Sequence, residues 1–212
     1  MSRHSGRGGR RRSTLVGVPG WMDERMTPDD EPTRRRLLDA ATRQISAAGW
    51  GDISANQVAK AAGVPVAVLN QHFTSVSDLL NEAAVEATRR ELRSSTAFLT
   101  SRTDAAEAVH DLLAGLASTD PNNSTHVVLV ESALAATRDA RLRAATAAVL
   151  DETRQELTQW LERVSALPRP ASTAIAITAL IDGYLLHRIV HPSLLPDELM
   201  PTLQRLLPAA TA

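Results

Sequence analysis

The chain has 212 residues, of which 43% are hydrophobic and 3% aromatic, and its formal net charge is −1. It contains no cysteine, which excludes disulfides, thiolate chemistry and cysteine-ligated zinc. Alternating strand patterns are nearly absent while Ala, Leu, Arg and Glu are abundant, so we expect an all-α fold of about nine helices. Because the N-terminus has no apolar stretch of the secretory type, we expect a cytoplasmic protein without a membrane partner.

Charge is unevenly distributed along the chain. Residues 1–93 carry thirteen Arg and one Lys against eleven acidic residues, a balance of +3. Residues 94–212 carry nine Arg against thirteen acidic residues, a balance of −4. A basic N-terminal unit followed by an acidic one fits a nucleic-acid-binding head on a body with a different task, although the excess is small.

The first 27 residues are rich in Arg, Gly and Ser, which predicts disorder. A solubilising tail or a misassigned start is one interpretation, and a basic arm that contacts the minor groove or phosphates is the other. The next basic cluster opens the first predicted helix, over 34–50. There we expect Arg34 and Arg35 to contact phosphates.

The stretch 54–73 has the pattern of two short helices joined by a tight turn. Ser54 is a predicted N-cap, Gly63 suits a turn position with positive φ, and Pro65 fits the start of the second helix. Phe73 closes the unit. This is the spacing of a helix-turn-helix, whose second helix can enter the DNA major groove. A purely structural helical hairpin is the alternative.

The string from Arg34 to about Arg93 resembles the N-terminal DNA-binding domain of the TetR family of bacterial transcription regulators. The resemblance is carried by Leu37-Leu38, Ala40-Ala41, Gly49-Trp50, Ser54, Val58-Ala59, Ala62-Gly63-Val64, Leu69, Phe73 and Leu79-Leu80. It implies an N-terminal three-helix DNA-binding domain and a C-terminal helical domain for ligand binding and dimerisation. We therefore expect a disordered basic tail at 1–30, the helix-turn-helix domain at 31–80 and the C-terminal domain at 81–212.

The second helix of the motif departs from the pattern usual in this family. Relatives usually carry a lysine where Val66 stands here, and a Tyr-His-Tyr run where this chain has Asn70-Gln71-His72. Asn70 and Gln71 can still pair with adenine, and Val66 and Ala67 can contact a thymine methyl. A solvated amide for Asn70 and packing beside Phe73 for His72 are the alternatives. The predicted DNA-binding residues are Arg34, Arg35, Ser54, Gln57, Lys60, Pro65, Val66, Ala67, Asn70, Gln71, His72 and Thr74.

The resemblance also implies a small-molecule site in the C-terminal body. Polar or aromatic residues within apolar helices are the candidates for effector binding: His110, His126, Glu131, Trp160 and Tyr184. Glu131 stands out because an unpaired acid among apolar residues costs free energy. A salt bridge from Glu131 to Arg138 or Arg141 is the alternative. The aliphatic surroundings favour a hydrophobic effector. The helix over 125–138 is apolar nearly all round, and we expect it to lie inside the body.

The helix over 171–191 has apolar residues on more than one side, so we expect it to bury a second face against another subunit. The resemblance implies that the last two long helices pair with their copies in a four-helix bundle. A homodimer would present two heads to successive major grooves of a palindromic operator, about 34 Å apart. The predicted dimerisation residues are Ile175, Ala179, Asp182, Gly183, Leu186 and Leu203.

We predict no metal site, no cofactor and no enzymatic activity. His187 and His191 have metal-ligand spacing, but no third ligand lies at a matching offset. The sequence has no nucleophile elbow, phosphate loop or HExxH pair. We therefore expect a repressor that a small molecule releases from a double-stranded DNA operator. The alternative is a ligand sensor or protein-binding partner with weakened DNA recognition.

Overall fold

The computed structural model describes residues 30–119 and 124–208, in which all regular secondary structure is helical. The all-α prediction is confirmed. The predicted tail lies outside the described residues, except for its last residue. The helices are α1 (Asp30–Ala48), α2 (Ala55–Ala62), α3 (Val66–His72), α4 (Val76–Thr100), α5 (Ala105–Ala117), α6 (Ser124–Ala136), α7 (Ala140–Val164), α8 (Pro170–Val190) and α9 (Met200–Leu206), with a 3₁₀ turn at Pro196–Leu199.

The clearest differences from the expected helices lie at the two ends of the described chain. The first helix begins at Asp30, four residues before the predicted start, and Gly49 ends it with a φ of 74°. At the C-terminal end, the chain forms the 3₁₀ turn and α9 rather than one continuous helix. Pro201 lies at this division, where its missing N–H interrupts the hydrogen bonding of one continuous helix.

A head forms around one hydrophobic core from α1, α2, α3 and the first half of α4. Its buried side chains include Leu37, Ile45, Leu69 and Leu79, each at most 1% exposed. The amphipathic spacing of α1 and the short helices after it predicts this core. Since α4 runs without interruption from Val76 to Thr100, the predicted domain boundary at residue 80 falls within a helix.

The body has a second core between α5, α7, α8 and the end of α4. Trp160 and Leu161 of α7 are fully buried there, and Leu99 of α4 joins them. Leu203 of α9 belongs to the same core and is 1% exposed. The prediction of Leu203 as a dimerisation residue is therefore wrong, because its side chain is covered by its own subunit.

Helix α6 lies between the two cores rather than inside the body. Val128 is fully buried in the head core, whereas Leu134 is 56% exposed. Contacts of α6 with α1, α4 and α7 show the same intermediate position. The expectation that this helix lies inside the body is wrong, because an apolar composition does not tell which neighbouring helices cover it.

A polar contact joins the head end of α4 to the start of α7. Asn81 Nδ2 donates to Asp139 Oδ2 at 2.8 Å. Asp139 is the N-cap of α7, and its Oδ1 accepts from the backbone N–H groups of Arg141 and Leu142 at 2.8 and 3.0 Å. These hydrogen bonds, with that of Asn81 the strongest, lower the pKa of Asp139.

We expect Asp139→Ala to lower the free energy of unfolding by about 0.5–2 kcal/mol near neutral pH, the usual effect of losing an N-cap. Because the pKa of Asp139 is lowered on folding, its contribution is present above the ordinary aspartate pKa and is lost as the pH falls through the lowered value. The difference from wild type should therefore shrink in acid. Urea unfolding over a pH series measures it, with Glu152→Ala on the exposed side of α7 as the control. An equal loss in the control would contradict the capping role.

Candidate DNA-binding surface and body cavity

The first helix of the motif begins with a reciprocal pair of hydrogen bonds. Ser54 Oγ accepts from the Gln57 backbone N–H at 3.3 Å, and Gln57 Oε1 accepts from the Ser54 backbone N–H at 2.7 Å. This capping box satisfies two N–H groups that a helix start leaves without partners. Ser54 and Gln57, both predicted to bind DNA, are exposed, but their side chains have this structural role as well.

The turn between α2 and α3 depends on one left-handed residue. Gly63 has a φ of 68° and donates to the Lys60 carbonyl at 3.2 Å, and Val64 donates to the Ala59 carbonyl at 3.0 Å. These two bonds form a Schellman motif, in which glycine avoids the steric cost of positive φ. Pro65 directly precedes α3 as its N-cap, one position earlier than predicted.

Helix α3 has one buried side and one side open to solvent. Leu69 is 1% exposed and packs in the head core. The outer face of α3 is formed by four exposed residues at helical spacing: Val66, Ala67, Asn70 and Gln71. His72 is half-buried, with its ring centroid 6.5 Å from that of Phe73. The outer face therefore presents two amides and two apolar side chains to a partner.

Of the three basic residues predicted to contact DNA, one is already paired within the head and two are exposed. Arg34 is ion-paired with Glu82, and its guanidinium lies 5.1 Å from the centroid of the Phe73 ring. Its charge is thus used inside the head, which weakens its prediction as a phosphate ligand. Arg35 and Lys60 are exposed, and neither forms an ion pair within the described residues.

Thr74, also predicted to bind DNA, lies at the start of α4. Its hydroxyl donates to the Asp78 carboxylate. The backbone N–H of Asp78 in turn donates to Ser75 Oγ at 3.0 Å, which makes Ser75 the N-cap of α4. Thr74 remains exposed, so a phosphate contact by its hydroxyl stays a prediction.

We expect Gly63→Ala to lower the free energy of unfolding by about 1 kcal/mol, because a Cβ disfavours positive φ. Gly115, inside α5, is the matched control: open space surrounds the site of its Cβ, so Gly115→Ala should raise stability by about 0.5–1 kcal/mol. Thermal or urea unfolding of both variants provides the measurement. Stabilisation by both substitutions would show that the turn does not need a glycine.

The body contains a small cavity between α4, α7 and α8. Its volume is ≈ 40 Å³, room for about three water molecules. Leucine and isoleucine side chains form most of its wall, with Glu91 from α4 and Asp182 from α8 among them. None of the five predicted effector residues lines this cavity.

Three of those five residues have structural partners instead. Trp160 Nε1 donates to the Arg102 carbonyl at 2.9 Å, and the Tyr184 hydroxyl donates to the Leu194 carbonyl at 3.2 Å. His110 Nε2 lies 2.8 Å from Asp197 Oδ1. The structure therefore does not bring the five together as one site.

The other two lie on α6. The Glu131 carboxylate faces Gly49 at the end of α1, and no ion pair joins Glu131 to the arginines 138 and 141 that were its predicted alternative partners. His126 is buried and interacts electrostatically with Glu91 of the cavity wall. Of the five, His126 is thus the one that the structure relates to the cavity.

A stripe of exposed residues runs along α8. Ile175 and Leu186 are about half exposed and Val190 is 82% exposed, and the stripe includes Ala179 and Asp182. Gly183, also predicted at a dimer face, lies half-buried beside it. By length and composition alone, α8 is apolar enough to cross a membrane. In the described structure its other side packs on α7 and α5.

Comparisons with known proteins agree with this architecture. Residues 37–83 match the family model described as bacterial regulatory proteins, tetR family. Residues 100–209 match the tetracyclin repressor-like C-terminal domain. The chain belongs to the TetR family. This TetR-family protein is 31% identical over 191 residues to an uncharacterised HTH-type transcriptional regulator of Mycobacterium tuberculosis H37Rv, covering 84% of this chain and 94% of the relative.

Solved structures show the same fold. A transcriptional regulator from Streptomyces coelicolor A3(2) has a TM-score of 0.69 and 27% identity, covering 83% of this chain and 98% of its own. The multidrug binding protein EbrR complexed with ethidium has a TM-score of 0.66 and 25% identity, covering 83% and 99%. The family and these relatives identify the chain as a transcriptional regulator rather than an enzyme.

Proposed function

We propose that this chain is a homodimeric repressor that binds a palindromic DNA operator and is released from it by a small molecule. The observation that carries the proposal is the outer face of α3, which is open to solvent over Val66, Ala67, Asn70 and Gln71 while Leu69 holds the helix to the head core. A helix presented in this way fits the major groove.

The outer face of α3 supports sequence reading by direct contact. Asn70 and Gln71 can each offer paired donor and acceptor atoms to adenine, and the Val66 and Ala67 side chains suit the thymine methyl. Phosphate contacts position a protein on DNA without reading its sequence. Arg35 and Lys60 are exposed cations of the head that suit this role, and Arg36 and Arg43 of α1 are exposed as well.

The stripe on α8 supports dimerisation. It offers three large apolar side chains to solvent, and burial of such a surface against a second copy is favourable. A palindromic operator requires two α3 helices related by a two-fold axis, and a dimer through this face would supply such an axis.

The body cavity supports effector binding. EbrR, a structural relative, is a multidrug binding protein crystallised with ethidium. Ligand pockets usually measure about 300–1,000 Å³, so a ligand could occupy the cavity of ≈ 40 Å³ only if the cavity widened. An effector that binds the widened form more tightly than the closed form shifts the protein toward the widened form. In that form the heads would no longer be placed to bind the operator. We place this activity in the cytoplasm, with no membrane partner.

The alternative is a sensor whose DNA recognition is weakened, since Val66 provides no charge at the start of α3. A gel shift with duplexes selected from a random pool, at low and at physiological salt, separates the two. A repressor selects one palindromic sequence and retains it at physiological salt. Binding that is independent of sequence and lost at physiological salt would favour the alternative.

We expect Asn70→Ala and Gln71→Ala each to weaken binding to the selected operator by about 10- to 100-fold, the loss of one good base contact. Gln155→Ala, at an exposed glutamine on α7, is the matched control and should bind like wild type. Fluorescence anisotropy with operator and scrambled duplexes measures the effect. Wild-type affinity in both head variants would show that other residues read the operator.

We expect Leu186→Glu to convert the dimer to a monomer, because an interface that already contains the Asp182 carboxylate of each copy would then contain two more charges in place of apolar contacts. Loss of the second head should also reduce operator affinity by a factor of about 10² or more. Leu134→Glu is the control, since Leu134 is equally exposed but lies on α6, outside the stripe. Light scattering gives the mass of each. A Leu186→Glu dimer would exclude α8 as the interface.

A further inference from the structure

A groove runs between α8 and α9 on the surface of the body. Its volume is ≈ 260 Å³, against ≈ 40 Å³ for the body cavity, and approaches the range of about 300–1,000 Å³ that ligand pockets usually have. Its lining is aliphatic except at one end, where Arg169, Ser172 and Thr173 lie. The groove and the body cavity share no lining residue, so they are separate sites.

The groove exists because α9 packs on α5 rather than on α8. Leu203 and Leu207 anchor the end of the chain in the body core, and Ile177 of α8 is buried in the same core. Beside these buried side chains, α8 presents the short side chain of Ala176, and Leu206 of α9 is 48% exposed. A short side chain on one wall and a partly covered leucine on the other leave apolar surface open to solvent.

The polar end of the groove carries an unpaired positive charge. The guanidinium of Arg169 forms no ion pair or hydrogen bond within residues 30–119 and 124–208. The Ser172 hydroxyl has no hydrogen-bond partner among them either, whereas Thr173 Oγ1 donates to the Arg169 carbonyl at 3.1 Å. None of the lining residues is acidic. This end of the groove is therefore open to an anion from outside the subunit.

The start of α8 adds to the positive end. Pro170 lies in the first turn and has no N–H, and no side chain caps the N–H groups that follow it. Such N–H groups and the helix dipole both favour an anion at this position. Here the helix start borders a groove that also has an unpaired arginine and an unbonded hydroxyl.

We propose that the groove binds a single-chain amphiphile with an anionic head, such as a medium-chain carboxylate. The carboxylate accepts from Arg169, Ser172 and the start of α8. The hydrocarbon tail lies along the aliphatic walls toward Leu180, about three turns further along α8.

The two parts of this ligand contribute differently. Removal of the tail from water provides most of the affinity, and charge complementarity selects the head. A cationic amphiphile finds no carboxylate in the lining. This site goes beyond the proposed repressor function, since it depends neither on DNA binding nor on the body cavity.

The groove lies beside the stripe proposed for dimerisation. Ile175 of the stripe directly precedes Ala176, and Ser172 and Ala176 are exposed as the stripe is. A second copy that covered the groove would therefore exclude the amphiphile from the dimer.

Calorimetry with the full-length protein tests the site with three probes, each below its micelle concentration. Decanoate has both the anionic head and the tail, and it should bind. Butyrate has the same head with a short tail, and decyltrimethylammonium has the tail with a cationic head, so neither should bind measurably. Added salt should weaken decanoate binding, because it screens the exposed arginine.

Two variants locate the site. Arg169→Gln should weaken decanoate binding about three- to fivefold, the effect of losing one exposed counter-charge. Ala176→Phe should abolish measurable binding, because its ring occupies the space of the tail. The matched controls are Arg205→Gln, at an exposed arginine of α9 outside the lining, and Ala133→Phe, at an exposed alanine of α6. Both controls should bind decanoate like wild type.

Urea unfolding without ligand separates loss of the site from loss of the fold. All four replaced side chains are exposed, so the variants should unfold close to the wild-type urea concentration. If Ala176→Phe does not fold, the comparison of Arg169→Gln with Arg205→Gln still decides.

Five results would each overturn the proposal. Decanoate could fail to bind in every form of the protein, or could bind no better than decyltrimethylammonium. Arg205→Gln could lose as much affinity as Arg169→Gln, or folded Ala176→Phe could bind decanoate like wild type. Finally, the Leu186→Glu monomer could bind decanoate while the wild-type protein does not, which would show that a second copy occupies the groove.

Discussion

One helix has its two ends buried in different cores, and the rest of the structure depends on this. The start of α4 supplies Leu79 and Leu80 to the head core, and its end supplies Leu99 to the body core. No glycine or proline interrupts it. Helix α6 adds Val128 to the head, and Asn81 contacts the N-cap of α7. Head and body are consequently joined by one continuous helix, and a displacement of α4 in the body can be carried to the head.

The chemistry of the outer face of α3 gives the proposed DNA contact a specific character. Amides and apolar groups act only at close range, so they contribute to affinity when shapes and bases match. Arg34 is already paired within the head, so long-range attraction to phosphates is left to the exposed cations Arg35, Arg36, Arg43 and Lys60. The face of α3 itself carries no charge among Val66, Ala67, Asn70 and Gln71, which favours discrimination between sequences by that helix.

Local signals predicted the helix-turn-helix well. Ser54, Gly63 and the helix periodicity act through neighbours a few residues away, and the capping box and left-handed turn confirm those predictions. Partners distant in sequence were not predictable. Arg34 pairs with Glu82, and Trp160 donates to a carbonyl 58 residues away, so both have partners that no local pattern reveals.

The same limit affects the body. A polar residue in an apolar helix can line a site or pair with another part of its own subunit, and periodicity does not distinguish the two. The sequence drew attention to only one of the two carboxylates in the cavity wall. Asp182 was assigned to the dimer face, and Glu91 was not singled out because it lies on an amphipathic helix with many charges. Their convergence follows from the packing of α4 against α7 and of α7 against α8.

The length of α4 has a geometric consequence. Its 25 residues span about 37 Å at about 1.5 Å per residue, comparable to the separation of about 34 Å between successive major grooves. A tilt of about 5° at one end of such a rod moves the other end by about 3 Å. In a symmetric pair the two displacements add. A sub-ångström rearrangement of side chains near the pivot can therefore change the separation of the two α3 helices, so that they no longer match successive major grooves.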